Sequence, residues 1–385
     1  MERPSHETPT PLARRRHTRR RDDPELLHRN SRRRPDGVPR CQRSDGVLPC
    51  SEHLRADGVA LPQPTTAPST PAPIRTVAEN LDAPWSIAFD GSTALVSERD
   101  SGRLLELSAD GTPRQIGQVA GVSAGGEGGL LGIAVRDTYL YAYFTAAGDN
   151  RIQRFPLTGK PGSLGIGAAE TLVEGIPSAG THNGGRIAFG PDGMLYATTG
   201  DAGDRPSAQD RDSLSGKILR MTPEGKAPSD NPFPGSLVYS YGHRNPQGIA
   251  WAPDGTMYAS EFGQDTWDEL NVIKPGGNYG WPTVEGIAHR EGLTDPVQQW
   301  RPADASPSGM AIVDGQIYIA NLRGARLRQI PLDRPATSSD RLAGEYGRLR
   351  DVAAAPDGSL WILTNNTDGR GEPGSEDDRI LRVEP

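Results

Sequence analysis

The sequence predicts an all-β fold, a six-bladed β-propeller behind a disordered N-terminal leader, and three observations carry that prediction. The 385 residues include 47 Gly and 35 Pro but only 34% hydrophobic residues, a turn-dense composition that suits short strands and leaves little room for helices. One short phrase recurs six times between Pro84 and the C-terminus. The recurrences are spaced at about 50 residues, the size of one propeller blade. A β-sandwich is the competing architecture, but it does not predict a sixfold repeat.

Residues 1–74 are rich in Arg, Pro and Ser, end in "PQPTTAPSTPAP", and show neither a period of two nor of 3.6. They read as a disordered leader, and residues 75–385 as the propeller. Arg14–Arg16, Arg19–Arg21 and Arg32–Arg34 crowd this leader, which suits either a solvated tail or an arm for nucleic acid or anionic membrane. Both cysteines, Cys41 and Cys50, lie there too, so the repeated region owes nothing to a disulfide. "VLPCS" at Val47–Ser51 has the outline of a lipoprotein cleavage site, but no apolar segment precedes it and no clear signal peptide is visible.

The six copies follow in order: "PWSIAFDGSTALVSE" from Pro84, "GLLGIAVRDTYLYAYF" from Gly129, "GGRIAFGPDGMLYATTG" from Gly184, "NPQGIAWAPDGTMYASEFG" from Asn245, "PSGMAIVDGQIYIANL" from Pro307 and "LRDVAAAPDGSLWILT" from Leu349. Each reads as an apolar-Ala-apolar strand, a tight turn often spelled Pro-Asp-Gly, and a second apolar strand. Asp-Gly supplies the positive φ that such a hairpin needs. A third strand follows most copies, as in "GRLLELS", "NRIQRFPL", "GKILRMTP", "DELNVIKP", "ARLRQIPL" and "DRILRVEP". Alternating apolar residues are expected to bury one face of each small sheet, and sheets too small to cover themselves must stack in a ring.

The formal net charge of −7 argues against a nucleic-acid partner, because phosphate binding draws on a basic field. No run of about 18 apolar residues occurs, so no membrane span is expected.

Inner strands of a propeller line its central channel, so residues at their starts converge on the channel mouth from distant parts of the sequence. Those positions hold Glu127, His182, Arg244, Asn245, Arg348 and Arg350, and the returning second strands bring Asp201, Glu261, Gly263 and Arg323. Arginines, a histidine and glycine loops gathered at one mouth of an acidic chain suggest an anionic ligand. Each residue also has a plainer reading. His182 can be a packed histidine or a base oriented by Asp201, and Arg348 and Arg350 can make structural ion pairs or hold a ligand. "SEFGQDTWDELN" can be a charged turn or a hard-cation site. His182, His243 and His289 lack metal-ligand spacing, and His243 is expected to pack beside its turn.

From Leu81 to the C-terminus the sequence resembles the soluble pyrroloquinoline-quinone (PQQ)-dependent sugar dehydrogenases of the glucose/sorbosone dehydrogenase family, which are six-bladed propellers. The words that carry the resemblance are "EGGLLGIA", "HNGGRIAFGPDGMLYATTGD", "YGHRNPQGIAWAPDG", "SEFGQDTWDELN", "GGNYGWP" and "RLRDVAAAPDG". It implies that His182 is the general base, Asp201 its orienting partner and Arg244 a stabiliser of developing negative charge. PQQ would be held by Glu127, His182, Arg244, Asn245, Arg323, Arg348 and Arg350. Calcium beside PQQ would take backbone oxygens of Gly263 and Gln264, a further structural calcium would use Glu269 and the carbonyl of Tyr279, and Trp300 would line the substrate. Many relatives carry Gln in place of Glu127 and Lys in place of Arg323, so Glu127 adds a negative charge beside an anionic cofactor.

The implied activity is oxidation of an aldose at its anomeric carbon to a lactone. A small-molecule sugar and an external electron acceptor would be its partners, the chain would be a monomer or dimer, and the resemblance implies an extracellular or cell-envelope location. Two rivals remain at this point: a calcium-dependent lactonase-type hydrolase and a non-catalytic binding propeller.

Overall fold

The computed structural model describes residues 73–385. The expectations placed on residues 1–72, including the arginine clusters, Cys41, Cys50 and the "VLPCS" stretch, lie outside the described residues. β1 (Arg75–Ala78) precedes a first sheet of β2 (Pro84–Asp90), β3 (Thr93–Glu98), β4 (Arg103–Leu107) and β5 (Pro113–Gln118). The second contains β6 (Leu130–Arg136), β7 (Tyr139–Thr145), β8 (Asn150–Thr158), the short β9 (Gly165–Ile166) and β10 (Glu170–Ile176). The third is β11 (Ile187–Phe189), β12 (Leu195–Thr199), β13 (Lys217–Met221) and β14 (Val238–Tyr241), and the fourth is β15 (Pro246–Trp251), β16 (Met257–Glu261), β17 (Asp268–Ile273) and β18 (Gln298–Trp300). β19 (Pro307–Val313), β20 (Gln316–Asn321), β21 (Arg326–Pro331) and β22 (Ser339–Arg341) make the fifth; β23 (Leu349–Ala354), β24 (Leu360–Thr364) and β25 (Ile380–Val383) make the sixth.

The sixth sheet takes its outer strand from the other end of the described chain. β1 pairs antiparallel with β25, Arg75 opposite Arg382, so backbone hydrogen bonds close the ring. Consecutive inner strands touch all the way round: β2 with β6, β6 with β11, β11 with β15, β15 with β19, β19 with β23 and β23 with β2. The fold is the six-bladed propeller that the repeat predicts.

The sequence accounts for three strands per unit, whereas each sheet has an outer fourth. Outer strands such as β5 (PRQIGQ) and β22 (SDR) are largely exposed and carry no apolar pattern to read. Burial of one face per sheet is also corrected. β3 and β12 are buried at every residue, because each sheet is covered on both sides by its neighbours. Six apolar clusters fill the six gaps between successive sheets.

The Pro-Asp-Gly turns work as their chemistry requires. Gly193 sits at φ 77°, and the preceding aspartate turns its carboxylate back onto the backbone: Met194 N–H donates to Asp192 Oδ1 at 3.1 Å and Thr256 N–H to Asp254 Oδ1 at 2.9 Å.

One position of the repeat sits at the axis and holds Ser86, Gly132, Arg186, Gly248, Gly309 and Asp351. A Cβ on Gly309 would stand 1.9 Å from Asp351 Oδ1, so only glycine lets these strands approach. Arg186 Nη1 crosses to Asp351 Oδ2 at 2.9 Å and to Ser86 Oγ at 3.0 Å, tying the third sheet to the sixth. Burial outweighs pairing on both partners, holding the Arg186 guanidinium below its ordinary value and the Asp351 carboxyl above its own. Beyond this polar layer the channel is apolar, lined among others by Ile87, Ile133, Ile187 and Ile249. Among the described residues, no helix is long and apolar enough to cross a membrane.

Candidate active site

His182 precedes β11 at φ 59°, in the left-handed region that non-glycine residues seldom adopt. Its neighbours fix it there: its N–H donates to Glu127 Oε2 at 2.8 Å and its carbonyl accepts from Ala202 N–H at 3.2 Å. The β11–β12 hairpin returns Asp201 to the same point, with His182 Nδ1 2.7 Å from Asp201 Oδ1.

Asp201 is fully buried. Its Oδ1 also accepts Gly203 N–H at 2.8 Å, and its Oδ2 accepts Trp281 Nε1–H at 2.8 Å. Burial opposes ionisation, but the bonds from His182, Gly203 and Trp281 outweigh it and hold the carboxyl below its ordinary value. An ionised carboxylate only accepts hydrogen bonds, so His182 donates from Nδ1, and in the neutral imidazole the lone pair is then on Nε2.

Arg244 and Asn245 lie before β15. Asn245 Oδ1 accepts Gly184 N–H at 3.0 Å, joining the loops of the third and fourth sheets. Arg244 donates its N–H to Glu261, and its Nη1 reaches the carbonyls of Phe262, at 3.3 Å, and Gly263. Its Nε is buried without a partner among the described residues. Burial holds this guanidinium below its ordinary value, against the pull of Asp201, Glu285, Glu261 and Glu127.

A cavity of about 240 Å³ opens at this mouth, and Glu127, Asn245, Arg323, Arg348 and Arg350 all line it. Arg350 is buried, with Nε and Nη2 donating to Asn365 Oδ1 at 3.0 and 2.8 Å and Nη1 to Gln247 Oε1 at 3.0 Å. Burial, opposed by Asp368 and reinforced by Arg348 and Arg99, pulls its pKa down to about 9. Arg348 Nη2 reaches Asp368 at 3.1 Å, while its Nε is buried without a partner. An anion in this cavity would relieve the crowding of like charge and give Arg348 Nε a partner, so the residues fit a multiply carboxylated cofactor.

Several lining residues escaped the sequence. Trp85 and Gln247 line the cavity from the same repeat position as Arg350, so aligning the six copies against one another would have found them. Arg370 has no such signal, since it stands in an irregular loop between β24 and β25. Its Nη1 lies 3.3 Å from Glu127 Oε1. The negative charge of Glu127 is thus engaged on both oxygens, by Arg370 and by the His182 N–H.

The calcium donors fall into two groups. The amides of Gln264, Asp265, Thr266 and Trp267 all donate to Glu285 Oε1, which organises the loop carrying Gly263 and Gln264. Glu269 is buried beside Glu261 on the paired strand, and burial together with that like charge pushes its carboxyl up to about 8. Asn271 Oδ1 is buried nearby without a partner, and Tyr279 stacks on His243 at 4.6 Å. Crowded carboxylates and an orphaned oxygen suit a hard cation. Among the described residues no three His, Cys, Asp or Glu side chains cluster for a metal, so carbonyl oxygens would have to complete the shell.

Trp300 lies in the outermost strand of the fourth sheet, its ring packed towards the fifth under Arg328 at 4.7 Å, and neither it nor His182 nor Arg244 is among the residues that line the 240 Å³ cavity. His243 is fully buried, with both ring nitrogens engaged, by Glu261 at 2.8 Å and Ser240 at 2.9 Å.

Comparison with known proteins agrees with this geometry. The family model described as glucose/sorbosone dehydrogenase matches residues 81–381. The PQQ-bound structure of an aldose sugar dehydrogenase from Streptomyces coelicolor is 53% identical, with a TM-score of 0.78 over 82% of this chain and 99% of that one. The apo form of the soluble aldose sugar dehydrogenase from Escherichia coli superposes with a TM-score of 0.71 at 28% identity, over 81% of this chain and 99% of that one. In sequence, an aldose sugar dehydrogenase of Escherichia coli K12 is 31% identical over 369 residues, covering 83% of this chain and 94% of the relative. The chain belongs to the glucose/sorbosone dehydrogenase family, and within it to the PQQ-dependent sugar dehydrogenases, oxidoreductases acting on CH–OH groups.

Proposed function

We propose that the protein oxidises an aldose at its anomeric carbon to the lactone, with His182 as general base. The observation that carries this is the His182–Asp201 pair at 2.7 Å beside an arginine-lined cavity. His182 Nε2 takes the proton of the anomeric hydroxyl, while Asp201 fixes the imidazole tautomer and steadies the imidazolium that forms. Arg244, with an unpartnered buried Nε, faces negative charge as it develops. Arg323, Arg348 and Arg350 would hold the carboxylates of PQQ, with Glu127 and Asn245 shaping the rim. The Gly263 and Gln264 loop would supply carbonyls for a calcium ion, and Glu269 with the Tyr279 carbonyl for another. Bound there, the quinone supplies the hydride acceptor and calcium the Lewis acidity.

The proposed catalytic domain is residues 75–385, preceded by the leader, placed outside the cytoplasm as a monomer or dimer that passes electrons to an external acceptor; fractionation and sizing of the native protein test those points. For the chemistry, His182→Ala is expected to lower sugar-dependent dye reduction by about 100-fold to 10,000-fold, the usual range for a general base, with quinone still bound. Near-normal turnover of that variant after reconstitution with quinone and calcium refutes the assignment. Lactone hydrolysis with calcium alone would instead favour a hydrolase.

A further inference from the structure

We propose that Trp281 is a positioning residue of the proton-transfer apparatus, acting through Asp201 on His182; the inference rests on the base assignment above. Trp281 is buried, and its indole N–H donates to Asp201 Oδ2 at 2.8 Å. The other carboxylate oxygen receives His182 Nδ1 and the Gly203 N–H. Without the indole, one oxygen of a fully buried carboxylate would lose its only side-chain donor, and the group could rotate about its terminal torsion. With it, the carboxylate is held at both ends and the His182 ring at one angle.

The indole is itself held. Gln209 Nε2 donates to the Trp281 carbonyl at 2.6 Å, and the Trp281 N–H donates to the Gly242 carbonyl at 2.9 Å. Two guanidinium groups stand near its ring centroid, Arg205 at 5.4 Å and Arg244 at 5.5 Å. Cations against the π face withdraw density from the ring and make its N–H a stronger donor. The charged groups around the His182–Asp201 pair are Glu127, through the His182 N–H, Arg244, and Arg205 across the indole. Trp281 lies about 100 residues from His182 in sequence, outside the repeated hairpins, which is why the repeat does not reveal it.

The sign of its effect follows from charge. Hydrogen bonding to Oδ2 spreads the negative charge of Asp201; losing that bond makes the carboxylate more basic towards His182 and stabilises the imidazolium. Replacing Trp281 should therefore move the acid limb of kcat/KM to higher pH.

The test uses the full-length chain in two forms, Trp281→Phe and the variant carrying benzothienylalanine at that site, which keeps the bicyclic shape but replaces N–H by sulfur. Imidazole nitrogen NMR follows the titration of His182 in each, and pH profiles of kcat and KM follow in the quinone-loaded protein. An acid limb of kcat/KM moved to higher pH in the isosteric variant, with kcat lowered about tenfold and KM little changed, supports the inference. An unchanged titration of His182 in the isosteric variant overturns it, whatever Trp281→Phe does to folding. Failure of the base assignment reads differently: His182→Ala would then retain turnover, while the titration shift of His182 would still report the indole bond.

Discussion

Replacing Arg186 by methionine should destabilise the ring far more than losing one hydrogen bond, because it strands a carboxylate at the axis. Arg186 gives up three bonds in that change, to Asp351 Oδ2 at 2.9 Å, Ser86 Oγ at 3.0 Å and the Gln247 carbonyl at 3.0 Å. It also loses its stacking over Trp85, 4.2 Å from the ring. Asp351 keeps the amides of Ile87 and Val352 but loses the one cation it pairs with among the described residues. Breaking a buried pair from one side costs about 3–5 kcal/mol, which for a domain of this size lowers Tm by roughly 5–8 °C. Burial already holds Asp351 above its ordinary value of 3.8, and without Arg186 it rises further. Stability from a carboxyl with a raised folded pKa is fully present below pH 3.8 and lost as pH rises through the folded value, so the variant should recover relative to the parent on acidification. The assay is urea unfolding of Arg186→Met, Asp351→Asn and the double variant between pH 4 and 8. The double variant should cost less than the sum of the singles, since it leaves no stranded charge. A loss below about 1 kcal/mol for Arg186→Met, or additivity within ~0.5 kcal/mol, refutes the cross-ring pairing.

Other outcomes follow from neighbouring contacts. Asp201→Asn cannot satisfy all three donors, because its amide nitrogen must face either Trp281 or the His182 and Gly203 side; kcat should fall about 1,000-fold to 10,000-fold, and a value within tenfold of the parent would reject the tautomer argument. Because the Asp201 carboxyl is held below 3.8, its stabilisation is present above that pH and lost as pH falls through the folded value; acid unfolding of Asp201→Asn should lack this component. Changing Arg348 and Arg350 together to glutamine should weaken quinone binding by about 100-fold or more, two charge-assisted contacts being lost, and an unchanged fluorescence titration would remove both from the cofactor clamp. Gly309→Ala would drive a Cβ to 1.9 Å from Asp351 Oδ1 and should cost ~1–3 kcal/mol; an unaltered Tm would contradict the close approach of β19 and β23.

Six copies of one hairpin, five of them with an Asp-Gly turn, decided by themselves that the chain would form six small sheets, because each turn and each apolar run is a local property of its own residues. They also placed His182 and Asp201 at the two ends of one hairpin, where antiparallel pairing had to bring them together. What the alternation of apolar residues could not say is that both faces of each sheet are covered, or that β1 from before the first copy completes the last sheet, since strand partners distant in sequence leave no periodic mark. The same holds at the mouth. Arg370 against Glu127, Trp281 against Asp201 and Arg186 against Asp351 join residues from different sheets, and Trp300 packs between the fourth and fifth sheets because of the strand it occupies. Those contacts exist only once the ring has closed and set the distances across it, and on them depend the charge, burial and orientation of the groups expected to do the chemistry.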